Sequence, residues 1–99
     1  VRLKEAGWQI WLDDLTRELA EAFARLALPL DGVKIDRSAL RERAPLAPFV
    51  QEVRAGIAQS ILIEGIENSR DLARARASGA QSGQGFLWPE SRTGARVTL

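Results

Sequence analysis

The chain has 99 residues, 45% hydrophobic and 27% charged, with 14 Lys and Arg against 13 Asp and Glu and a formal charge of +1. That is the size of one domain or part of one, and the near-neutral balance gives no electrostatic case for DNA or an anionic membrane as partner. Cys, His and Met are absent, which excludes disulfides, thiol nucleophiles, Ser-His-Asp triads and imidazole metal sites, and leaves oxygen donors, the chemistry of Mg or Mn, for any metal.

No apolar run approaches the roughly 18 residues of a membrane span, and the N-terminus carries no signal-peptide pattern. The chain starts at Val1 without Met, as expected of a piece of a longer protein. In chain order, the residues before Trp8 read as the end of a helix. Trp8 to Leu12 is an apolar run of strand length closed by Asp13 and Asp14. Leu15, Leu19, Ala22, Phe23 and Leu26 then recur at spacings of three and four, predicting a helix with a core-facing stripe that ends before Pro29. Gly32 to Ile35, closed by Asp36, is the second strand; Lys34 and Asp36 share one face and Val33 and Ile35 the other.

Arg41 to Pro48, with two prolines, reads as a loop. Phe49, Val50, Val53 and Ile57 make a second helical stripe opened near Pro48. Ser60 to Ile63, closed by Glu64, is the third strand. A third helix is capped by Asn68 or Ser69, continues through Leu72, Ala73 and Arg76 with a core-facing stripe, and stops at Gly79, with its arginines Arg70, Arg74 and Arg76 as a solvated face. Ala80 to Leu87, rich in Gly and Gln, is a weaker fourth strand, and Ser91 to Leu99 a loosely held tail.

Short apolar runs alternating with helices predict a parallel sheet buried on both faces. Strand ends at Leu12, Ile35 and Ile63 are 23 and 28 residues apart. That is the βα repeat of an eight-fold barrel, whose complete form needs about 200 to 250 residues. No Gly-rich phosphate turn follows any strand, which disfavours a doubly wound sheet. The fold class is therefore α/β, a partial TIM-type barrel. Its function is expected where strands end, and Asp13, Asp14, Asp36 and Glu64 all fall there, with Lys34 one layer below and Gln84 in the fourth turn. Carboxylates gathered at one rim need positive charge among them, from Lys34 or divalent ions, and paired divalent ions suit phosphodiester hydrolysis. Trp11 suits core or helix-facing packing better than stacking on a base, whereas Trp88, beside the rim, is a candidate base contact.

The segments Leu12-Asp13-Asp14, Leu28-Pro29-Leu30-Asp31-Gly32-Val33-Lys34-Ile35-Asp36-Arg37-Ser38, Ile63-Glu64-Gly65-Ile66-Glu67-Asn68 and Gly83-Gln84-Gly85-Phe86-Leu87 together resemble the second half of the EAL domain family. That family comprises bacterial phosphodiesterases that hydrolyse cyclic di-GMP to its linear dinucleotide. The resemblance runs from about Leu3 to Pro89 and implies a partial barrel of about four βα units over residues 1–90, followed by the tail 91–99. It implies a cytoplasmic signalling module with Mg or Mn as cofactor. Position by position, it makes Asp13 and Asp14 metal ligands. Lys34 would contact the attacking water or a carboxylate, Glu64 would orient or deprotonate that water, and Gln84 would line the pocket. Glu67 would steady the loop after the Asp pair, and Asp36 would support the rim.

The chain departs from the family in three places. Leu15-Thr16-Arg17-Glu18 stands where the family has a flexible Gly-rich loop, which predicts an early, stiffened helix start. Leu87-Trp88-Pro89-Glu90 differs from the usual ending. The Glu-Ala-Leu motif and the Asn and Glu ligands of the earlier strands are not in the chain. These departures predict a degenerate module that acts by binding the dinucleotide or a protein rather than by hydrolysis. One alternative is part of an active phosphodiesterase whose N-terminal half lies outside the chain. The other is a half-barrel with unpaired edges and an exposed apolar inner face, which pairs with a second copy or a completing half.

Overall fold

The computed structural model describes residues 2–6, 9–87 and 96–99. Six strands form one sheet in chain order: β1 (Arg2–Ala6), β2 (Gln9–Leu15), β3 (Gly32–Ile35), β4 (Ser60–Ile63), β5 (Ser82–Gly83) and β6 (Val97–Thr98). β2, β3, β4 and β5 are mutually parallel, while β1 and β6 pair antiparallel at the two ends. The helices α1 (Arg17–Leu26), α2 (Ser38–Arg41), α3 (Leu46–Gly56) and α4 (Ser69–Ala77) connect the parallel strands. This is the α/β order of successive βα units, compatible with part of a barrel.

Alternation along the strands sorts the side chains. Leu12, Leu15, Val33, Ile35, Ile61 and Ile63 are fully buried and join Phe49, Val50 and Val53 of α3 in one core. The other face carries Trp11, Asp13, Lys34 and Leu62. Each fully buried aliphatic side chain contributes about 1.5–3 kcal/mol through removal from water, so the layer between sheet and helices is the principal source of stability.

Several expectations need correction. Residues before Trp8 are not a helix end: Arg2–Ala6 is a strand whose Arg2 lies opposite Asp13 and whose Ala6 lies opposite Gln9. The pairing satisfies the edge of β2 that a parallel neighbour would otherwise occupy. Arg41 to Pro48 is not one loop. α2 ends at Arg41 and α3 starts at Leu46, with Pro48 in the first helical turn, where its missing N–H costs nothing. The stripe of α1 is core only in part: Leu15 is buried but belongs to β2, Phe23 is partly buried against the core, Leu19 and Leu26 are exposed (38% and 60%), and Ala20 is the buried residue of the helix.

Within α4 the buried positions are Asp71 and Ala75, with Leu72 partly buried, while Ala73 and Arg76 face solvent. Asn68 does cap α4, accepting from the Asp71 N–H at 2.8 Å. Arg74 is not simply solvated; its guanidinium donates to the carbonyls of Leu40 and Ala44. Of the expected tail, Val97 and Thr98 pair with β5.

The inner face is not an exposed apolar surface either, since Trp11 is 5% and Leu62 1% exposed. Trp11 does not face the helices. Its ring lies across Gly32, where an added Cβ would come within 2.5 Å of it. Arg96 covers its other side, with the guanidinium carbon 4.8 Å from the ring centroid.

Candidate functional site

The rim is built by backbone hydrogen bonds that continue the parallel ladder one residue past each strand. Asp36 N–H donates to the Leu15 carbonyl at 2.8 Å, Glu64 N–H to that of Ile35 at 3.0 Å, and Gln84 N–H to that of Ile63 at 3.0 Å. Asp36, Glu64 and Gln84 thus occupy equivalent positions in a row at the C-terminal ends of β3, β4 and β5. The turn after Glu64 is held by Gly65, whose φ of 81° is left-handed and where a Cβ would meet the Arg37 Cβ at 2.2 Å.

Adjacent residues of a regular strand point to opposite faces, so Asp13 and Asp14 could not both serve one site without a distortion. The distortion is a bulge. Leu12 pairs with Val33 and Leu15 with Ile35, so three steps on β2 match two on β3. Asp14 takes φ 57°, a conformation that Asp tolerates better than most residues. The result brings carboxylate oxygens of Asp13, Asp14 and Glu64 all within 4.8 Å of one another.

The electrostatics follow from that proximity. Burial, hydrogen bonds with Asp13 and Asp14 and their negative charges push the Glu64 carboxyl up to about 9, so it carries a proton at neutral pH. Burial by itself would raise Asp13 as well. The Glu64 hydrogen bond and the charges of Lys34, Lys4 and Arg2 outweigh it and hold Asp13 below its ordinary value. Arg2 approaches Asp13 at 3.1 Å and Asp14 at 3.9 Å, and Lys4 approaches Asp13 at 3.7 Å.

Three carboxylates with hard oxygen donors inside one coordination radius fit a divalent cation of the Mg or Mn type. The proton on Glu64 and the cations on β1 are what the fold uses to offset the same negative charge.

The other expected residues fall around this cluster. Lys34 and Gln84 line a cavity with Asp13 on the inner face. Asp36, Glu67 and Gln84 line a second, of about 550 Å³, with Asp14, Glu64 and the exposed Phe86. Asp36 also accepts from the Ser38 N–H at 3.0 Å, fixing the start of α2, which is a supporting geometry. Glu67 pairs with Arg41 of α2 at 3.3 Å rather than with the segment after Asp14. Trp88 lies outside the described residues.

The segment after Asp14 runs directly into a helix, the early start that its composition predicted. α1 begins at Arg17, three positions after Asp14. Arg17 donates to the carbonyls of Ala44 at 3.2 Å and Pro45 at 3.1 Å, pairs with Glu42, and stacks over Phe49 at 4.8 Å.

Sequence reasoning missed Arg2 and Lys4, hidden in a segment read as helix, and Arg96, placed in a tail. It also missed the buried Asp71, which accepts from Glu67 N–H at 3.1 Å and from Arg41 at 3.0 Å. An acid three positions after the Asn68 cap was the available signal, because an acid there reaches back to free amides at the helix start.

Comparison with known proteins agrees with this geometry. Over 92 residues the chain is 30% identical to a probable cyclic di-GMP phosphodiesterase, PdeB, of Escherichia coli (strain K12), a match covering 91% of the chain and 18% of that protein. The chain therefore spans about a fifth of that relative's length. No solved structure matches it. The family model for the EAL domain matches residues 1–91, and the chain belongs to the EAL domain family.

Proposed function

We propose that this segment is a cyclic di-GMP signalling module that binds the dinucleotide at the strand-end rim and does not hydrolyse it by itself. The observation that carries this reading is the carboxylate cluster of Asp13, Asp14 and Glu64, retained by a bulge. It offers three protein side chains where two ions bridged for hydrolysis need many more oxygens. Asp13 and Asp14 would hold Mg or Mn, with Glu64 as the third donor. Such an ion, when bound, supplies positive charge for a phosphodiester and lowers the pKa of water.

The protein's own residues favour binding over turnover. Without a divalent ion, the Glu64 carboxyl carries a proton and is a hydrogen-bond donor rather than a base. Lys34 beside Asp13 supplies a positive charge for a phosphate oxygen. Arg17 ties the segment after Asp14 to α3 and the turn before it, opposing movement of that segment during a catalytic cycle. The test is a turnover assay of the isolated chain with Mg and with Mn, following linear dinucleotide by chromatography. No product above the protein-free control is expected; sustained turnover would overturn the proposal.

A second reading, completion of the barrel by a separate first half, draws on the exposed Leu19 and Leu26 of α1 and on the chain's small share of its relative. In that reading the added half supplies the missing oxygen ligands and activity returns. A self-paired homo-oligomer is its variant. Mixing the chain with the first half of a family member and assaying turnover separates the two readings.

A further inference from the structure

Outside the ring of strand ends, a cleft of about 720 Å³ opens between α2, the turn into α3 and the start of α4. That volume is within the roughly 300–1,000 Å³ of ligand-binding clefts. Its walls carry Arg41, Arg43, Arg70 and Arg74 against Glu42, Glu67 and Asp71. Each of these acids already has a partner. Glu42 pairs with Arg17, while Glu67 and Asp71 both pair with Arg41, at 3.3 and 3.0 Å. Arg74 donates to the carbonyls of Leu40 and Ala44 and so ties the turn to α4. Arg43 belongs to the turn and Arg70 to the first turn of α4, and both are exposed. Among the described residues, neither makes a hydrogen bond, ion pair or ring contact.

We propose that this cleft docks an acidic segment of a protein partner, whose carboxylates pair with Arg43 and Arg70. Counting Arg17, five guanidiniums face three carboxylates, and the surplus of two resides on the two side chains that have no partner. A guanidinium presents a planar fork that matches a carboxylate with two parallel hydrogen bonds, which an ammonium cannot do. Nothing in the fold draws Arg43 and Arg70 together, so they suit carboxylates spaced along a chain better than one small anion. The exposed Pro45 beside them offers apolar contact to the same segment. A nucleic acid fits less well, because its closely spaced phosphates would meet Glu42, Glu67 and Asp71 in the walls. Arg41 and Glu67 also line the adjoining hollow beside Asp36, so a docked segment and the rim share two wall residues. The inference does not require that a dinucleotide bind at the rim, and it stands or falls by itself.

The experiment is fluorescence anisotropy of a fluorescein-labelled peptide of repeating Glu-Asp-Gly, titrated with the full 99-residue chain at low ionic strength, where surface charge is least screened. A neutral Gln-Asn-Gly peptide and a single-stranded oligonucleotide of matching length serve as comparison probes. Saturable binding of the acidic peptide is expected, with none of the neutral one. Arg43→Gln and Arg70→Gln should each weaken it about threefold and together about tenfold, as for independent ion pairs. Arg76→Gln, an exposed arginine of α4 outside the cleft, should leave it unchanged. Arg43 and Arg70 contact nothing in the fold, so thermal melts of their variants should match wild type. Absence of saturable binding, equal binding of the neutral peptide, equal weakening by Arg76→Gln, or tighter binding of the oligonucleotide would each overturn the proposal.

Discussion

Glu64 holds a proton because it is buried and two aspartates stand beside it, and this has a consequence for stability. Below its unfolded value near 4.5 the residue is protonated in both states and the environment costs nothing. As pH rises from there to about 9, the unfolded chain releases the proton while the folded chain keeps it, so stability falls through that window. Glu64→Gln keeps a hydrogen-bond donor toward Asp13 and removes the titration. Its melting temperature relative to wild type should therefore climb between pH 4.5 and pH 8, measured without divalent ions. A difference independent of pH would contradict the assignment.

Arg17 makes a separate prediction at the residue scale. Arg17→Ala removes two hydrogen bonds, an ion pair and an aromatic contact from a largely buried guanidinium. It should cost about 2 kcal/mol in chemical denaturation and accelerate hydrogen exchange at residues 15–18. A loss of stability with unchanged exchange there would mean that Arg17 does not hold that segment.

Between residues and elements lies the question of what could be read from the sequence. The rim positions of Asp13, Asp14, Asp36 and Glu64 were legible because each closes an apolar run, and parallel strands deliver their ends to one rim. The bulge that turns Asp14 toward Asp13 was not, since register depends on the partner strand. Arg2–Ala6 was illegible for a similar reason: Arg-Leu-Lys-Glu-Ala suits a helix end or an edge strand, and the free edge of β2 decides between them. α2 is four residues long, too short to show a period. The α1 stripe was correctly amphipathic and only partly core, Phe23 packing inward while Leu19 and Leu26 stay in solvent, because spacing reveals an apolar face and not whether anything covers it.

At the element scale, β1 competes with any cation for the rim. Its Arg2 reaches both aspartates, yet that side chain is 64% exposed and the contact is correspondingly weak. Arg2→Gln should therefore tighten Mn binding by a factor of about two to five, read by the paramagnetic resonance signal of free Mn. Weaker Mn binding in this variant would mean that Arg2 supports the cluster rather than occupying it.

For the molecule as a whole, the structure is a short parallel sheet closed at both ends by antiparallel strands, with helices over one face and a cavity on the other. Its α1 carries Leu19 and Leu26 in solvent. Leu26→Asp should leave the stability of the isolated chain within about 0.5 kcal/mol and weaken association with a completing first half, compared by denaturation and by sedimentation. An effect on the isolated chain would place Leu26 in its own core.

In the proposed reading, the retained carboxylate rim binds a cyclic dinucleotide without cleaving it. Calorimetric titration of cyclic di-GMP into the chain, with and without Mg and beside the turnover assay, tests this most directly. Saturable binding is expected, tightened by Mg, lost in Asp13→Asn, and without linear product. Absence of binding in both conditions, or binding followed by hydrolysis, would contradict it.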